Sequence, residues 1–281
     1  MSSTTNANER VAVVTGCSSG IGYESALALA RNGFLTYATM RNLANRDTIQ
    51  SVADKEQLPV RVVQLDITDE RSVKSAVESI TSEAGRIDVL VNNAGYGLVG
   101  PFEDITIGEI KNLYETNIFG AVRVTQAVLP TMRRQRSGRI INMSSGAGRF
   151  GYPGGSAYVS SKFALEGLSE CMAHELEQFG IKVILIEPGF IRTNFGKNIA
   201  VAKRAREPSS PYAKMMQEMQ STFTDLASHA APASLVAEKV LEAASKDNPR
   251  LRYLAGKDVE QWVAAKKSMS DEEFYAMMRR P

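Results

Sequence analysis

Short runs of β-branched and aliphatic residues alternate with longer segments of helical periodicity along most of this chain. Strands are predicted at residues 11–16, 34–40, 60–67, 87–95, 138–145, 181–189 and 251–256. Helices are predicted between them, at 24–33, 72–85, about 103–135, around 158–162 and at 234–245. Strands that alternate with helices form βαβ units, and such units build a parallel sheet with helices on both faces. The pattern therefore predicts an α/β fold.

The composition argues against several classes of function. The chain has 33 basic and 31 acidic residues, and its net charge of +2 gives no electrostatic case for nucleic acid as the main partner. No apolar run approaches the ~20 residues that cross a bilayer, and the N-terminus lacks the apolar core of a signal peptide. The cysteines, Cys17 and Cys171, indicate neither a disulfide framework nor a zinc site, so a reducing cytosol is the expected compartment.

No segment has the composition of a linker and no internal repeat is visible, which favours one domain. We predict a flexible tail over residues 1–9, a single domain over 10–257 and a helical extension over 258–281. The extension contains Trp262 and apolar residues at an amphipathic spacing. Such a helix packs either on its own domain or across a subunit interface, and contact with a membrane surface is a weaker alternative.

A glycine-rich segment, TGCSSGIG, joins the first predicted strand to the first predicted helix. Gly16, Gly20 and Gly22 permit a tight turn, a close approach of the backbone to a ligand and tight packing of the helix. The amides at the start of the helix would then face a pyrophosphate. The G-x-x-x-G-x-G spacing differs from the commoner G-x-G-x-x-G pattern, and a plain structural turn is the alternative.

The end of the second predicted strand bears on which coenzyme is bound. A site selective for NAD usually places an acidic side chain there for the ribose 2′-hydroxyl, whereas arginine suits the 2′-phosphate of NADP. Met40 supplies no carboxylate, Arg41 follows it, and Ser18 and Ser19 can donate further hydrogen bonds. These residues favour NADP(H) over NAD(H), although Arg41 can also be an ordinary surface arginine. Asp66, after the third strand, either meets the adenine edge or caps a helix.

Tyr158 and Lys162 lie four positions apart in SAYVSSKFAL, and therefore on one face of the predicted helix. An unperturbed phenol has a pKa near ~10, and a neighbouring ammonium lowers it towards the range useful for acid–base catalysis. The same spacing recurs at Tyr253 and Lys257, but a glycine interrupts it. Thirteen residues before Tyr158 stands Ser145, at a strand end. The second pair has no such serine, so we interpret it as unrelated to catalysis.

The motifs TGCSSGIG, LDITD, NNAG, ETNIFG, NMSS, YVSSK and PGFIRT occur in that order between Val11 and Arg192. In this set and order the chain resembles the short-chain dehydrogenase/reductases, in their compact one-domain branch. The resemblance implies a doubly wound, Rossmann-type three-layer sandwich with a mostly parallel seven-stranded sheet. It also implies hydride transfer between a bound NAD(P)(H) and an alcohol or carbonyl.

The resemblance implies a role for each of five polar residues. Tyr158 would exchange a proton with the substrate oxygen, and Ser145 would donate a hydrogen bond to the same oxygen. Lys162 would hold the ribose hydroxyls and lower the pKa of the phenol. Asn117 would keep a water in contact with Lys162 and so complete a proton relay, a role compatible with an asparagine that satisfies a helix kink. Asn93 would brace the sheet beside the adenosine half of the coenzyme.

The resemblance also implies the coenzyme contacts, which include Tyr158 and Lys162. The other predicted contacts are Gly16, Ser18, Ser19, Gly20, Ile21, Gly22, Arg41, Asp66, Ile67, Asn93, Ala94, Gly95, Pro188, Gly189, Ile191 and Thr193. Among these, the Ile191 amide and the Thr193 hydroxyl would hold the carboxamide. No cluster of His, Cys, Asp or Glu looks like a metal site, so none is predicted, and His174 is interpreted as structural.

The predicted function is that of an NADP(H)-dependent oxidoreductase that interconverts a carbonyl and an alcohol, mainly as a reductase. The glycine loop and second strand are similar to those of hydroxysteroid and retinol dehydrogenases. This similarity implies a lipophilic small-molecule substrate, beneath a lid at about residues 195–230. The alternatives are an NAD-linked alcohol dehydrogenase of the same fold and a non-catalytic NADPH-sensing binding protein. The resemblance also implies a homodimer or homotetramer.

Overall fold

The computed structural model describes residues 9–207 and 209–279 and, at Lys197, the backbone alone. Of the predicted tail over residues 1–9, only Glu9 belongs to the described part. The main sheet has seven strands: β1 Arg10–Thr15, β2 Phe34–Met40, β3 Val60–Gln64, β4 Val89–Asn92, β5 Gly138–Met143, β6 Ile181–Pro188 and β7 Arg252–Ala255. Each lies at a predicted position, with ends that differ by a few residues at most.

The strands run in the order β3-β2-β1-β4-β5-β6-β7, and every pairing within this sheet is parallel. The chain moves outward from β1 to β3, returns to the centre at β4 and continues in the other direction. Because of this reversal, a crevice forms at the carboxyl ends of the strands between β1 and β4. The predicted parallel seven-stranded sheet is confirmed.

Ten helices are described: α1 Gly20–Arg31, α2 Asp47–Glu56, α3 Glu70–Ala84, α4 Ile107–Tyr114, α5 Ala121–Gln135, α6 Ser156–Leu176, α7 Ala213–Ser228, α8 Ala233–Ser245, α9 Lys257–Ser268 and α10 Asp271–Met278. Side chains of α1, α2 and α8 form one core cluster with one face of the sheet. Side chains of α3, α5 and α6 form a second cluster on the opposite face. The predicted three-layer, doubly wound architecture is therefore confirmed.

The alternation of side chains along β1 shows how the sequence builds two cores from one strand. Ala12 and Val14 belong to the cluster on one face, whereas Val11 and Val13 belong to the cluster on the other. All four are buried, which explains why the strand is a continuous apolar run and not an alternating one. Among the described helices, none has the length and apolarity that crossing a bilayer requires.

The parallel direction of the strands brings the sequence motifs to one edge. The glycine loop follows β1, Arg41 follows β2, Asp66 follows β3, Asn93 follows β4 and Ser145 follows β5. Segments that are far apart in the sequence therefore meet at the carboxyl edge, where open α/β sheets bind their ligands.

Candidate active site

The glycine loop connects β1 to α1 through residues in the left-handed backbone region. Gly16 has a φ of 74° and Gly20 a φ of 65°, values that residues with a side chain rarely adopt. A Cβ at Gly16 would lie 3.0 Å from the Cα of Ala94. At Gly22 it would overlap the Asn93 amide and the Gly16 carbonyl. The loop, α1 and the segment after β4 therefore pack without space for side chains at Gly16 and Gly22.

The start of α1 fits the pyrophosphate of a dinucleotide. Ser19 stands at the N-cap, but its side chain makes no capping hydrogen bond, and the first turn contains no acidic residue. The first amides of the helix are thus available to an anion, with the partly exposed Ser18 and Ile21 beside them. An open cleft of about 330 Å³ borders this turn and is lined by Gly20, Glu24, Arg192, Thr193, Asn194 and Ala233.

Replacing Gly22 with alanine should destabilise the protein by about 1–3 kcal/mol and weaken coenzyme binding, because the methyl group has to displace the Asn93 amide. Thermal unfolding and coenzyme titration test this expectation. The matched control is Gly167→Ala on α6, where a Cβ would meet no atom within 4 Å and alanine favours the helix. An unfolding temperature of Gly22→Ala equal to that of the wild type would contradict the packing argument.

A threonine that sequence reasoning missed joins the glycine loop to the segment after β4. The hydroxyl of Thr15 accepts hydrogen bonds from the amides of Asn93 and Ala94, both at 3.0 Å. In return, Asn93 Nδ2 donates to the Thr15 carbonyl at 2.8 Å and to the Gly16 carbonyl at 3.3 Å. Asn93 is thus placed to brace the sheet beside the crevice, as the resemblance implies. The only available signal for Thr15 was its position immediately before the first glycine.

The adenosine end of the predicted site contains an exposed arginine and a buried methionine. Arg41 is exposed just after β2, whereas Met40 is 2% exposed and belongs to the core. Asp66 does not cap α3: its carboxylate accepts hydrogen bonds from the amide (3.0 Å) and hydroxyl (2.7 Å) of Thr68. The cap is Asp69, whose carboxylate accepts from the first-turn amides. Asp66 is thus held in a turn at the carboxyl edge.

Of the four predicted catalytic residues, Ser145, Tyr158 and Lys162 lie together where α6 meets the end of β5. Lys162 Nζ is 5.6 Å from the ring centroid of Tyr158 and donates a hydrogen bond to the carbonyl of Met143 at 2.9 Å. The Ser145 side chain acts on the Tyr158 phenol and favours its ionised form. The Ser145 hydroxyl accepts a hydrogen bond from the amide of Ala147 at 3.2 Å and donates one to the carbonyl of Pro188 at 3.5 Å.

Burial changes the acidity of both ionisable groups in this centre. It raises the pKa of Tyr158 to about 12, although the Ser145 side chain acts in the opposite direction. Burial also lowers the pKa of Lys162 to about 8, against the attraction of the Glu166 carboxylate. The direction at Tyr158 is the reverse of the predicted one, because desolvation by burial outweighs the effect of Ser145. In the coenzyme-free protein the phenol is therefore protonated at neutral pH.

The low pKa of Lys162 predicts a pH-dependent stability. The unfolded chain keeps the lysine proton up to pH 10.5, whereas the folded chain releases it near pH 8. Between these values the unfolded state binds more protons, so the free energy of unfolding should rise with pH, by at most about 1.4 kcal/mol per pH unit. Urea unfolding of the coenzyme-free protein measures this rise, which Lys162→Met should lose and the exposed control Lys267→Met should keep. Parallel curves for wild type and Lys162→Met would contradict the prediction.

Asn117 lies in a π-helical turn, Glu115–Gly120, that joins α4 to α5. Its side chain donates to the Tyr96 carbonyl (2.9 Å) and to the Ser161 hydroxyl (3.3 Å), and accepts from the Tyr96 amide (3.1 Å). A Cβ at Gly95 would lie 3.0 Å from its Oδ1, and the same turn packs Gly120 against Ile67. The asparagine therefore joins α6 to the segment after β4, and its part in a proton relay stays a prediction.

The carboxamide loop, residues 188–193, follows β6 and reaches the glycine loop. The carbonyl of Pro188 lies 3.5 Å from the Ser145 hydroxyl, and Ile191 pairs with the segment before α8. A Cβ at Gly20 would lie 3.3 Å from the Cβ of Thr193. The two loops are thus in contact, and the loop links the serine to the pyrophosphate end of the crevice.

One aromatic ring lies beside Tyr158, and others pack on the neighbouring segments. Phe195 lies 6.1 Å from the Tyr158 ring, and Phe223 on α7 lies 6.1 Å from Tyr152 and 5.7 Å from Phe190. Also on α7, Met216 packs against a core cluster and Met219 packs beside Gly154. Sequence reasoning missed the contacts of Phe190, although it lies within PGFIRT, and of Phe195, which lies in no motif.

The second tyrosine–lysine pair and His174 do not belong to this centre. Tyr253 is 1% exposed in β7 and its hydroxyl accepts from the Arg250 amide at 3.1 Å, while Lys257 is exposed on α9. His174 is exposed on α6. Over residues 9–207 and 209–279, no group of three or more His, Cys, Asp or Glu side chains is placed to hold a metal.

Known proteins resemble this chain in sequence and fold. A model of the short chain dehydrogenase family matches residues 10–204. Human retinol dehydrogenase 8 is 43% identical over 72% of this chain and 65% of its own length. A 3-ketodihydrosphingosine reductase of Bacteroides thetaiotaomicron is 35% identical over 92% of each.

Two solved structures also resemble this chain in their three-dimensional fold. A short-chain dehydrogenase from Streptomyces avermitilis is 33% identical, with a TM-score of 0.82 over 96% of this chain and 95% of that one. A metagenomic short-chain oxidoreductase in complex with NADP is 27% identical, with a TM-score of 0.70 over 88% and 96%. The glycine loop, the Ser145–Tyr158–Lys162 centre and these matches lead to one conclusion: the chain belongs to the short-chain dehydrogenase/reductases and is an NAD(P)-dependent oxidoreductase.

Proposed function

We propose that the protein is an NADP(H)-dependent reductase of lipophilic carbonyl compounds. The observation that carries this proposal is the grouping of Tyr158, Ser145 and Lys162 where α6 meets the end of β5, with Phe195 beside the phenol. A protonated acid is the form required to reduce a carbonyl, because the developing alkoxide needs a proton. An aromatic side chain beside the phenol favours a substrate whose body is hydrophobic.

The residues of this chain bind, orient and protonate the substrate. A bound nicotinamide coenzyme supplies the hydride. Tyr158 donates its phenolic proton to the carbonyl oxygen, and Ser145 donates a hydrogen bond to the same oxygen and stabilises its developing charge. Lys162 holds the ribose hydroxyls and replaces the phenolic proton, with Asn117 keeping a water within reach of the ammonium. Lys162 is buried, and the exclusion of bulk water around it strengthens these polar interactions.

Two further observations support the choice of coenzyme and substrate class. Arg41 is exposed where a 2′-phosphate would lie, and Met40 offers no carboxylate to a 2′-hydroxyl. The NADP complex of a relative with the same fold is consistent with this choice. Retinol and 3-ketodihydrosphingosine, in the names of two relatives, are both lipophilic.

The proposal is tested by initial rates on a panel of carbonyl compounds from small aldehydes to steroids, with NADPH and NADH in parallel. We expect NADPH oxidation to be preferred, and the larger apolar members to be reduced with the highest kcat/KM. Preference for NADH across the panel would instead favour an NAD-linked alcohol dehydrogenase. Tight NADPH binding without turnover on any member would favour a sensing protein.

We propose that the protein forms homodimers or homotetramers. Phe119, beside Asn117, is 52% exposed, and Phe163, beside Lys162, is 46% exposed. Large exposed apolar side chains on neighbouring helices are typical of surfaces that a second copy covers. Light scattering after size exclusion measures the mass, and a monomer at micromolar concentration would contradict the assembly. The proposed compartment is a reducing cytosol, in keeping with two free cysteines.

A further inference from the structure

The C-terminal extension, α9 and α10, packs against two loops of the candidate site. A Cβ at Gly146, next to Ser145 in the chain, would lie 2.7 Å from the Cγ2 of Val259 on α9. Trp262 makes edge contacts with Phe150 at 5.8 Å and with Phe190 in the carboxamide loop at 6.1 Å. The extension is therefore placed to affect both the serine and the carboxamide loop.

Among the described residues, the polar part of this contact is the carboxylate of Asp258. Asp258 Oδ2 accepts a hydrogen bond of 2.7 Å from the amide of Phe190. The same carboxylate fills the space beside Gly189 and Gly256, where any Cβ would overlap it. Gly189 thus lacks a side chain at the point where the carboxylate from α9 reaches the loop. A charged acceptor makes a stronger bond to a backbone amide than a neutral one does.

We propose that Asp258 is a positioning residue that sets the conformation of the carboxamide loop and thereby the affinity for the nicotinamide end of the coenzyme. The inference rests on the proposed function, because the coenzyme contacts that the family resemblance implies for such an enzyme include the Ile191 amide and the Thr193 hydroxyl. These two residues lie one and three positions after Phe190 in the chain. The hydrogen bond to Asp258 fixes the position of the Phe190 amide, and thereby restricts the positions of the Ile191 amide and the Thr193 hydroxyl. Without the carboxylate that amide loses its partner, and the loop gains conformational freedom that coenzyme binding has to remove.

A competing explanation is that Asp258 only stabilises α9 through the helix dipole. Glu260 provides the control, since it lies in the same first turn of α9 and is exposed. Three variants separate the two explanations: Asp258→Ala removes the acceptor, Asp258→Asn keeps a neutral one, and Glu260→Ala removes a charge from the same turn. Each is measured as coenzyme-free protein by hydrogen–deuterium exchange of peptides covering residues 189–196. Each is then titrated with NADPH by fluorescence.

We expect Asp258→Ala to speed exchange at the Phe190 amide about tenfold and to weaken NADPH binding about tenfold. Asp258→Asn should lie between Asp258→Ala and wild type in both measurements, and it carries the test if Asp258→Ala does not fold. Glu260→Ala should match wild type within about twofold. Equal behaviour of the Asp258 variants and Glu260→Ala would overturn the proposal. Wild-type protein that binds neither NADPH nor NADH would contradict the proposed function and the coenzyme half of this inference, while exchange still decides whether Asp258 anchors the loop.

Discussion

Tyr158→Phe should lower kcat by about 10²–10⁴-fold, the usual contribution of a positioned general acid, while leaving the Kd for NADPH within about threefold. The substitution removes only the phenolic hydroxyl, on which the Ser145 side chain acts. The ring remains and keeps its packing beside Phe195, 6.1 Å away. The fold and the coenzyme site are therefore unaffected, and the lost activity reports the proton transfer alone. Initial rates at saturating substrate and a fluorescence titration with NADPH measure the two quantities.

The matched control is Tyr253→Phe, which removes a hydroxyl from the second tyrosine–lysine pair of the chain. That hydroxyl accepts a hydrogen bond from the amide of Arg250, just before β7, and does not belong to the Ser145–Lys162 centre. Its loss should cost about 1 kcal/mol of stability and leave kcat within about twofold of wild type. If Tyr158→Phe retained a tenth or more of the wild-type turnover, Tyr158 would not be the acid, and the choice of this pair over the other would be wrong.

Replacing Arg41 with alanine should weaken NADPH binding by about tenfold to a hundredfold, while NADH binding changes little. The two coenzymes differ only in the 2′-phosphate, and an arginine–phosphate pair is a charge-assisted, often bidentate hydrogen bond. Loss of such a pair raises the Kd for NADPH by a factor in this range. Replacing Met40 with an acidic residue would not be a clean test of coenzyme preference. Met40 is 2% exposed and packs in the core, so a carboxylate there would be buried and would disturb the strand.

Arg46→Ala is the control for the change in net charge. Arg46 is exposed at the start of α2 and pairs only loosely with Asp47, at 3.7 Å. Its removal should affect both coenzymes alike and by less than about twofold. Both Kd values are measured at low and at physiological ionic strength, since screening weakens an exposed phosphate contact. Equal losses for NADPH and NADH in Arg41→Ala would mean that Arg41 does not read the 2′-phosphate.

The sheet, and the edge of it that carries the site, could be predicted from the order of strands, helices and motifs along the chain. The motifs TGCSSGIG, LDITD, NNAG and NMSS each lie at the end of a strand, and parallel strands end at one edge, so the placing of Gly16, Asn93 and Ser145 at that edge required no tertiary information. Strand ends were less accurate, because the buried apolar run continues past the last residue of the strand: Leu65 and Ile67 are buried beyond the end of β3.

What the sequence did not reveal depends on contacts between distant segments. The bond from the Phe190 amide to Asp258 joins residues 68 positions apart, and although Phe190 lies in PGFIRT, no motif surrounds Asp258. The direction of the Tyr158 pKa depends on how deeply the phenol is buried, which spacing to Lys162 does not measure. The sequence contains a signal for the break between α9 and α10, which the prediction of one helical extension did not use. Ser270 and Glu273 form a capping box there, which splits the one predicted helix in two.

The π-helical turn at Glu115–Gly120 has a consequence for comparing this chain with its relatives. A π-turn holds one residue more than the α-turn it replaces, and each residue rotates the helix by about 100°. In the helix before the π-turn, Leu113 packs in the apolar cluster of Leu98 and Ala157. In the helix after it, Val124 packs against the sheet. An alignment with a chain that lacks the extra residue therefore needs a one-residue gap within this turn. Without that gap, either the asparagine or the sheet-facing residues are matched to positions about 100° away around the helix.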